Sequence, residues 1–170
     1  MHSSDKQAER RKRGEDFQDE LRRSWRLIPN CWRMRITDAA GRIGTRPGDD
    51  IILLEHINIL SEDKRTAGDR FELSFLRPNQ LKGLLEFDGV MDRNIGMVFI
   101  SFLNEAVDLA FAFRLVDALV YMKAQNRQYI TLEELQQQKI NSIPLPLLDL
   151  YENDQPVRGY DLKGVTNCYR

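Results

Sequence analysis

The chain predicts an α/β fold with a central mixed β-sheet flanked by helices, and three observations lead there. Phe17, Leu21, Trp25 and Ile28 recur at helical spacing and mark an amphipathic helix with one buried stripe. The run Ile95-Gly96-Met97-Val98-Phe99-Ile100-Ser101-Phe102 has the length and composition of a strand buried on both faces. Helix-like and strand-like segments then follow one another in the order helix, strands, helix, strands, helix, the pattern of a layered α/β domain.

The elements follow in order. Residues 1–12 read as a flexible basic leader, and the first helix begins at about residue 13. Trp32, Met34 and Ile36 alternate with Arg33 and Arg35, which predicts a strand with one wet face, and Asp38-Ala39-Ala40-Gly41 marks a turn. Arg46-Pro47-Gly48-Asp49 reads as a turn feeding the strand Ile51-Ile52-Leu53-Leu54. The next strand, Ile57-Asn58-Ile59-Leu60, runs into Ser61-Glu62-Asp63-Lys64 after a hairpin turn near Glu55-His56. Thr66-Ala67-Gly68-Asp69 is a loop, and Pro78-Asn79 opens a helix carrying Leu81, Leu84, Leu85 and Phe87. Beyond the buried run, residues 107–113 read as its antiparallel neighbour, linked through Asn104-Glu105. A helix across Leu115, Leu119 and Met122 and a short one opened by the capping box Thr131-Leu132-Glu133-Glu134 complete the domain, residues 13–138. From 139 to 170 three prolines, Pro144, Pro146 and Pro156, and a polar composition predict a C-terminal tail or arm.

The bulk numbers narrow the class. A chain of 170 residues, 42% hydrophobic and 30% charged, has the composition of one ordinary globular domain. No apolar stretch approaches the roughly 18 residues of a membrane span, and Met1-His2-Ser3-Ser4-Asp5-Lys6 lacks the apolar core of a signal peptide. A cytoplasmic protein with no membrane partner is expected. Cys31 and Cys168 show no paired spacing, and with His2 and His56 as the remaining soft donors there is no zinc pattern, so both cysteines are expected as free thiols. The net charge of −1 argues against coating nucleic acid by bulk electrostatics, although Arg10-Arg11-Lys12-Arg13 forms a local basic cluster. That cluster reads equally well as a solvated leader and as a segment reaching along a phosphate backbone.

Asp49, Glu62 and Lys64 carry the chemistry. Side chains alternate along a strand, so Glu62 and Lys64 share a face while Asp63 points away, and the hairpin brings Asp49 alongside them. Two carboxylate oxygens suit Mg²⁺, which keeps most of its waters and takes further oxygens from a substrate phosphate. The Lys64 ammonium can orient an attacking water or offset charge on the scissile phosphate. The plainer alternative is a turn aspartate and a solvated Glu-Asp-Lys cluster at a strand end, and Asp50 competes with Asp49 by adjacency.

Several separated segments resemble the RecU-type Holliday junction resolvases of the PD-(D/E)XK nuclease superfamily, in a compact phage-like version. Arg13-Gly14 leading into Phe17 is similar to that family's opening of the first helix. Asp49 followed by Glu62-Asp63-Lys64 and Thr66 resembles its Asp…Glu-x-Lys-x-Thr core, and Gln80 and the apolar strand Ile95–Phe102 resemble its next elements. The resemblance covers residues 13 to about 122. It implies a restriction-endonuclease-like core, with Mg²⁺ bound by Asp49, Glu62 and the backbone carbonyl of Asp63, and with Mn²⁺ as a substitute ion. It further implies that Lys64 holds the nucleophilic water, that Gln80 touches that water or the phosphate, and that Arg13, Arg65 and Thr66 contact DNA. The implied protein is a homodimer that resolves four-way junctions in recombination and repair.

The chain departs from the family's pattern in two places. Gln18, followed by Asp19 and Glu20, stands where the family carries a glutamate in the first helix, at a position next to the DNA and metal. The segment Thr37 to Gly48 is short where the family has a stalk. Two alternatives follow: a branched-DNA-binding module that cleaves weakly or not at all, and a PD-(D/E)XK nuclease acting on other DNA. Finally, Leu147-Leu148-Asp149-Leu150-Tyr151 is similar to peptides that dock on the replication sliding clamp, although packing on its own domain is the favoured reading.

Overall fold

The computed structural model describes residues 3–38 and 46–168; the remainder of the expected turn after Asp38, Ala39-Ala40-Gly41, lies outside the described residues. The elements in chain order are α1 (Ser3–Trp25), β1 (Trp32–Arg35), β2 (Asp50–Leu53), β3 (Asn58–Thr66), β4 (Arg70–Glu72), α2 (Pro78–Asp88), β5 (Asn94–Leu103), β6 (Asp108–Arg114), α3 (Leu115–Ala124), β7 (Tyr129–Thr131), α4 (Leu132–Gln136), β8 (Ser142–Pro144), β9 (Leu147–Glu152), β10 (Gln155–Tyr160) and α5 (Lys163–Asn167). Six strands form one sheet in the order β1-β2-β3-β5-β6-β8, with β3 and β5 parallel and the other pairs antiparallel. This is the α/β fold with a central mixed sheet that the sequence predicts. No helix among the described residues is long and apolar enough to cross a membrane.

β5 shows why its sequence is largely apolar on both faces. Met97 and Phe99 pack with Phe17, Leu21 and Trp25 of α1 and with Ile52 and Ile59. Val98, Ile100 and Phe102 pack on the other side with Leu84 of α2 and with Leu115, Ala118 and Met122 of α3. Alternate residues of one strand therefore feed two cores, as burial on both faces requires. Phe111, Phe113 and Leu115 belong to the second core. Both cysteines are free thiols.

Three expectations are corrected. The segment expected as a flexible leader is helical from Ser3, because residues 3–13 hold no proline or glycine and are rich in the strong helix formers Lys, Arg, Glu, Gln and Ala. On β1 the expected burial is reversed: Trp32 and Met34 are 52% and 47% exposed, while Arg33 turns its side chain inward to Asp50. The cause is position, since β1 is the edge strand and neither core covers its apolar face.

The third correction concerns residues 139–170, which form neither a tail nor an arm. β8 closes the main sheet against β6, and Tyr160, Leu162 and Val165 enter the α1-side core. The prolines exclude a helix but not an edge strand, and Pro144 sits on β8 at the sheet's far edge. Asn153 and Asp154, both at positive φ, make the two-residue turn of the β9–β10 hairpin. The Leu147–Tyr151 segment is β9 itself, its backbone paired in register with β10.

Close backbone approach seats α2. A Cβ on Gly96 of β5 would lie 2.4 Å from the Leu84 carbonyl oxygen, and one on Gly83 would meet Pro47 at the same distance. Gly96→Ala is expected to destabilise the protein by about 1–3 kcal/mol, because a rigid backbone atom must move to admit the methyl group. A lowered urea-unfolding midpoint at unchanged slope checks this; an unchanged midpoint contradicts the close seating of α2.

Candidate active site

The site begins with the β2–β3 pairing. Asp50 lies opposite Ser61, and the Asp49 N–H donates to the Ser61 carbonyl at 2.7 Å, which carries the ladder one residue further. Asp49 Oδ2 then accepts from the Asp63 backbone N–H at 2.9 Å. This bond fixes the Asp49 carboxylate against β3, level with Glu62. Alternation sends Glu62 and Lys64 to the α2 side with Leu60, and Ser61, Asp63 and Arg65 to the α1 side.

On the α2 side five side chains meet. Lys64 Nζ lies 2.6 Å from Glu62 Oε1, and Gln80 Nε2 donates to the same oxygen at 2.6 Å. Gln80 is buried in the first turn of α2, where its own Oε1 accepts from the Arg77 backbone N–H at 2.9 Å as half of a capping box. One amide side chain thus both starts the helix and holds the glutamate. Arg46 Nη2 lies 2.7 Å from Asp49 Oδ1, an ion contact that leaves Oδ1 without an aligned hydrogen bond. Sequence reading missed Arg46; its i,i+3 spacing to Asp49 within one turn was the available signal.

Glu62 is 1% exposed, and its carboxyl is pushed up to about 7 by burial first and by the Asp49 charge second, against the lowering pull of Lys64 and Arg46. Its Oε2 has no hydrogen-bond partner among the described residues. Glu62 Oε2 is therefore left over from the protein's own bonding, and Asp49 Oδ1 is held only by its ion contact with Arg46. Among the described residues no group of three or more His, Cys, Asp or Glu converges as a complete metal cage. Two neighbouring carboxylates, one with an open oxygen and one whose oxygen meets a displaceable Arg46, fit a Mg²⁺-like ion, which takes one or two carboxylates and fills its shell with water and substrate oxygens, and do not fit a calcium cage.

The neighbouring acids are placed differently. Asp50 turns to the α1 side, where Arg33 Nη2 holds its Oδ2 at 2.7 Å, so Asp49 rather than Asp50 shares Glu62's face. The Asp63 side chain is buried on the α1 side with neither oxygen hydrogen-bonded among the described residues. Its carboxyl is pushed well up, by burial and then by Asp49, Asp50 and Glu62. A metal role for Asp63 is open only to its backbone carbonyl.

The expected DNA contacts do not gather at this site. Arg65 is corrected outright: its side chain is 2% exposed, forms an ion pair with Glu20, donates to Ser101 Oγ at 3.0 Å and to the Tyr160 hydroxyl at 3.2 Å, and lies over the Phe17 ring. Strand alternation turns it into the core, away from any substrate. Gln18 Oε1 accepts from Arg35 at 2.8 Å, whereas Glu20 of α1 is buried and is bonded to Arg65, Tyr160 and Arg158. Glu20 and Ser24 fall on the same helical stripe as Phe17 and Leu21, the signal that marks them as inward-facing. Thr66 Oγ1 accepts from the Gly68 N–H at 3.0 Å and fastens the turn after β3, and Arg13 is half-buried on α1.

No protein-family model matches this chain, and neither does any curated protein. Among solved structures the chain is similar to Hjc of Archaeoglobus fulgidus, a Holliday junction resolvase from an archaeal hyperthermophile. The two are 17% identical, with a TM-score of 0.42 over 62% of this chain and 77% of that one. A likeness at that level decides nothing about chemistry.

Two outcomes are expected. The folded protein holds a proton on Glu62 that the unfolded chain releases between about pH 4.5 and 7. Its contribution to stability therefore falls as pH rises through that window, by on the order of 3 kcal/mol. A divalent ion that takes the proton's place should raise the melting temperature more at pH 8 than at pH 5.5; equal shifts at both would remove Glu62 from the ligand set. Arg65→Met should cost about 3–5 kcal/mol in urea unfolding, since it strands the Glu20 charge in the core. A neutral result would place Arg65 at the surface.

Proposed function

We propose that this protein is a divalent-metal-dependent endonuclease that cuts branched DNA, with Asp49, Glu62 and Lys64 at its centre. The observation that carries the reading is the environment of Glu62, which receives Lys64 and Gln80 on one oxygen and keeps the other open, with the Asp49 carboxylate held level with it across the strand pair. That arrangement supports a restriction-endonuclease-like core of the RecU-like kind.

In this reading Asp49, Glu62 and the Asp63 carbonyl hold Mg²⁺, or Mn²⁺ in its place. The ion, when bound, supplies Lewis-acid stabilisation of the phosphate. Lys64 orients the attacking water, and its ammonium offsets negative charge as the phosphodiester is displaced in line. Gln80 keeps Glu62 in one orientation, so the geometry costs little reorganisation during the reaction. Burial of Glu62 makes its ionised form unfavourable without a cation, which ties the site's readiness to metal binding. Two symmetric cuts in a four-way junction need two equivalent sites, which a homodimer with a two-fold axis would present. A sliding-clamp contact through Leu147–Tyr151 would have to open the β9–β10 hairpin and is not part of this proposal.

The test is cleavage of a synthetic four-way junction, a flap and a linear duplex, each with Mg²⁺, Mn²⁺ or EDTA. Paired nicks on the junction, abolished by EDTA, are expected. Metal-independent binding without nicking would make the protein a branched-DNA-binding module, and equal cutting of the linear duplex would make it a nuclease for other DNA. Asp49→Asn and Lys64→Ala should each lower cutting by about 100-fold or more while junction binding changes little. Gln18→Glu should leave cutting equal or higher, and a large loss would give the Gln18 amide a role of its own.

A further inference from the structure

We propose that the β1 edge of the sheet is a second nucleic-acid contact, where phosphates lie among arginines and an unpaired base stacks on Trp32. A cleft of about 410 Å³ is lined by Arg22, Trp25, Arg26, Cys31, Trp32 and Arg33. Two of these lining residues, Arg22 and Arg33, each have an Nε donor without a hydrogen-bond partner among the described residues. The acids nearby only partly neutralise these cations. Arg33 is 2.7 Å from Asp50 and Arg22 is 3.4 Å from Asp19, but Glu152 is shared between Arg23 and Arg26, and Arg35 faces the neutral Gln18. Guanidinium groups with donors to spare are suited to phosphate oxygens.

The apolar half of the surface is on the other side of the same strand. Trp32, Met34 and Leu53 are exposed, and the β1–β2 register puts them on the face of Ile51, which is also that of Glu62 and Lys64. Trp32 lies two strands across and four residues along from Glu62, roughly 17 Å from strand spacing and rise, a separation that a few nucleotides bridge. An exposed tryptophan beside arginines offers a stacking face to a base that has left its duplex. A second copy of this chain fits the edge less well, because β1 paired with its symmetry mate would set rows of arginine against each other. The substrate class that follows is nucleic acid with unpaired nucleotides close to the cut, and this rests on the nuclease reading above.

The test uses the chain's own fluorescence. Its two tryptophans are Trp25, 3% exposed, and Trp32, 52% exposed, so a stacked base quenches Trp32 selectively. The full chain is titrated in EDTA with single-stranded oligothymidylate, a forked duplex and a blunt duplex. Quenching is expected with the strand and the fork and not with the blunt duplex. Trp32→Ala should weaken binding of the fork by about tenfold, Trp32→Phe should restore most of it, and a joint Arg22→Ala, Arg26→Ala change should flatten the salt dependence for every DNA. Unquenched binding, or a Trp32→Ala protein that binds the fork as the parent does, overturns the β1 surface while leaving the nuclease reading intact. Failure to bind any of the three overturns both. Conversion of a dimer to a monomer by Trp32→Ala, seen by light scattering, would make this edge a contact between copies and overturn the proposal.

Discussion

From Ser61 to Arg65, β3 carries four ionisable residues, two acids and two bases, through the middle of a sheet, and the structure around it depends on sorting them by side. Glu62 and Lys64 go to α2, Asp63 and Arg65 to α1, and each side has partners waiting: Gln80 for Glu62, and Glu20, Ser101 and Tyr160 for Arg65. The register that does the sorting is set by the parallel pairing with β5, whose own alternate residues fill two separate cores. A slip of one residue would exchange the two sides at once, leaving Arg65 without its carboxylate and turning Glu62 away from its amide. Hydrophobic packing in β5 thereby protects a polar arrangement in the strand beside it.

That arrangement is costly to assemble. Asp49, Asp50, Glu62 and Asp63 are all buried within a few residues of one another, and burial is the first cause of the upward shift at Asp50, Glu62 and Asp63. Arg33 on the α1 side and Arg46 and Lys64 on the α2 side offset part of the repulsion. A protein under selection for stability alone has no reason to keep four carboxyl groups in such a place.

Much of this was legible from residue order, and the exceptions have physical causes. The alternation of β3, the doubly buried β5, the proline-opened α2 and the Thr131–Glu134 capping box are local patterns, and each occurs where its pattern indicates. Asp49, Glu62, Lys64 and Gln80 come together because one hairpin and one helix start suffice to join them. The Arg65–Glu20 pairing escapes local reading because it spans 45 residues, although the place of Glu20 on the apolar stripe of α1 marks that residue by itself as inward-facing. The role of 139–170 is hidden for a related reason: proline and polarity describe an edge strand and a hairpin as well as they describe a tail. At β1, alternation correctly indicates a strand but cannot say which face the fold leaves uncovered.

The return of the chain's end to its beginning has a consequence for biosynthesis. The Tyr160 N–H donates to Ser24 Oγ at 2.7 Å, its hydroxyl donates to Glu20, and its ring meets Phe17 edge-on. Until residue 160 has left the ribosome, α1 lacks part of its seat, and the Arg65–Glu20 pair beneath β3 lacks its third member. A nascent chain can therefore order β2, β3 and α2 early yet complete the scaffold behind the acidic site only after β10 has emerged. The fold itself makes a finished acidic site wait for the strand that carries Tyr160.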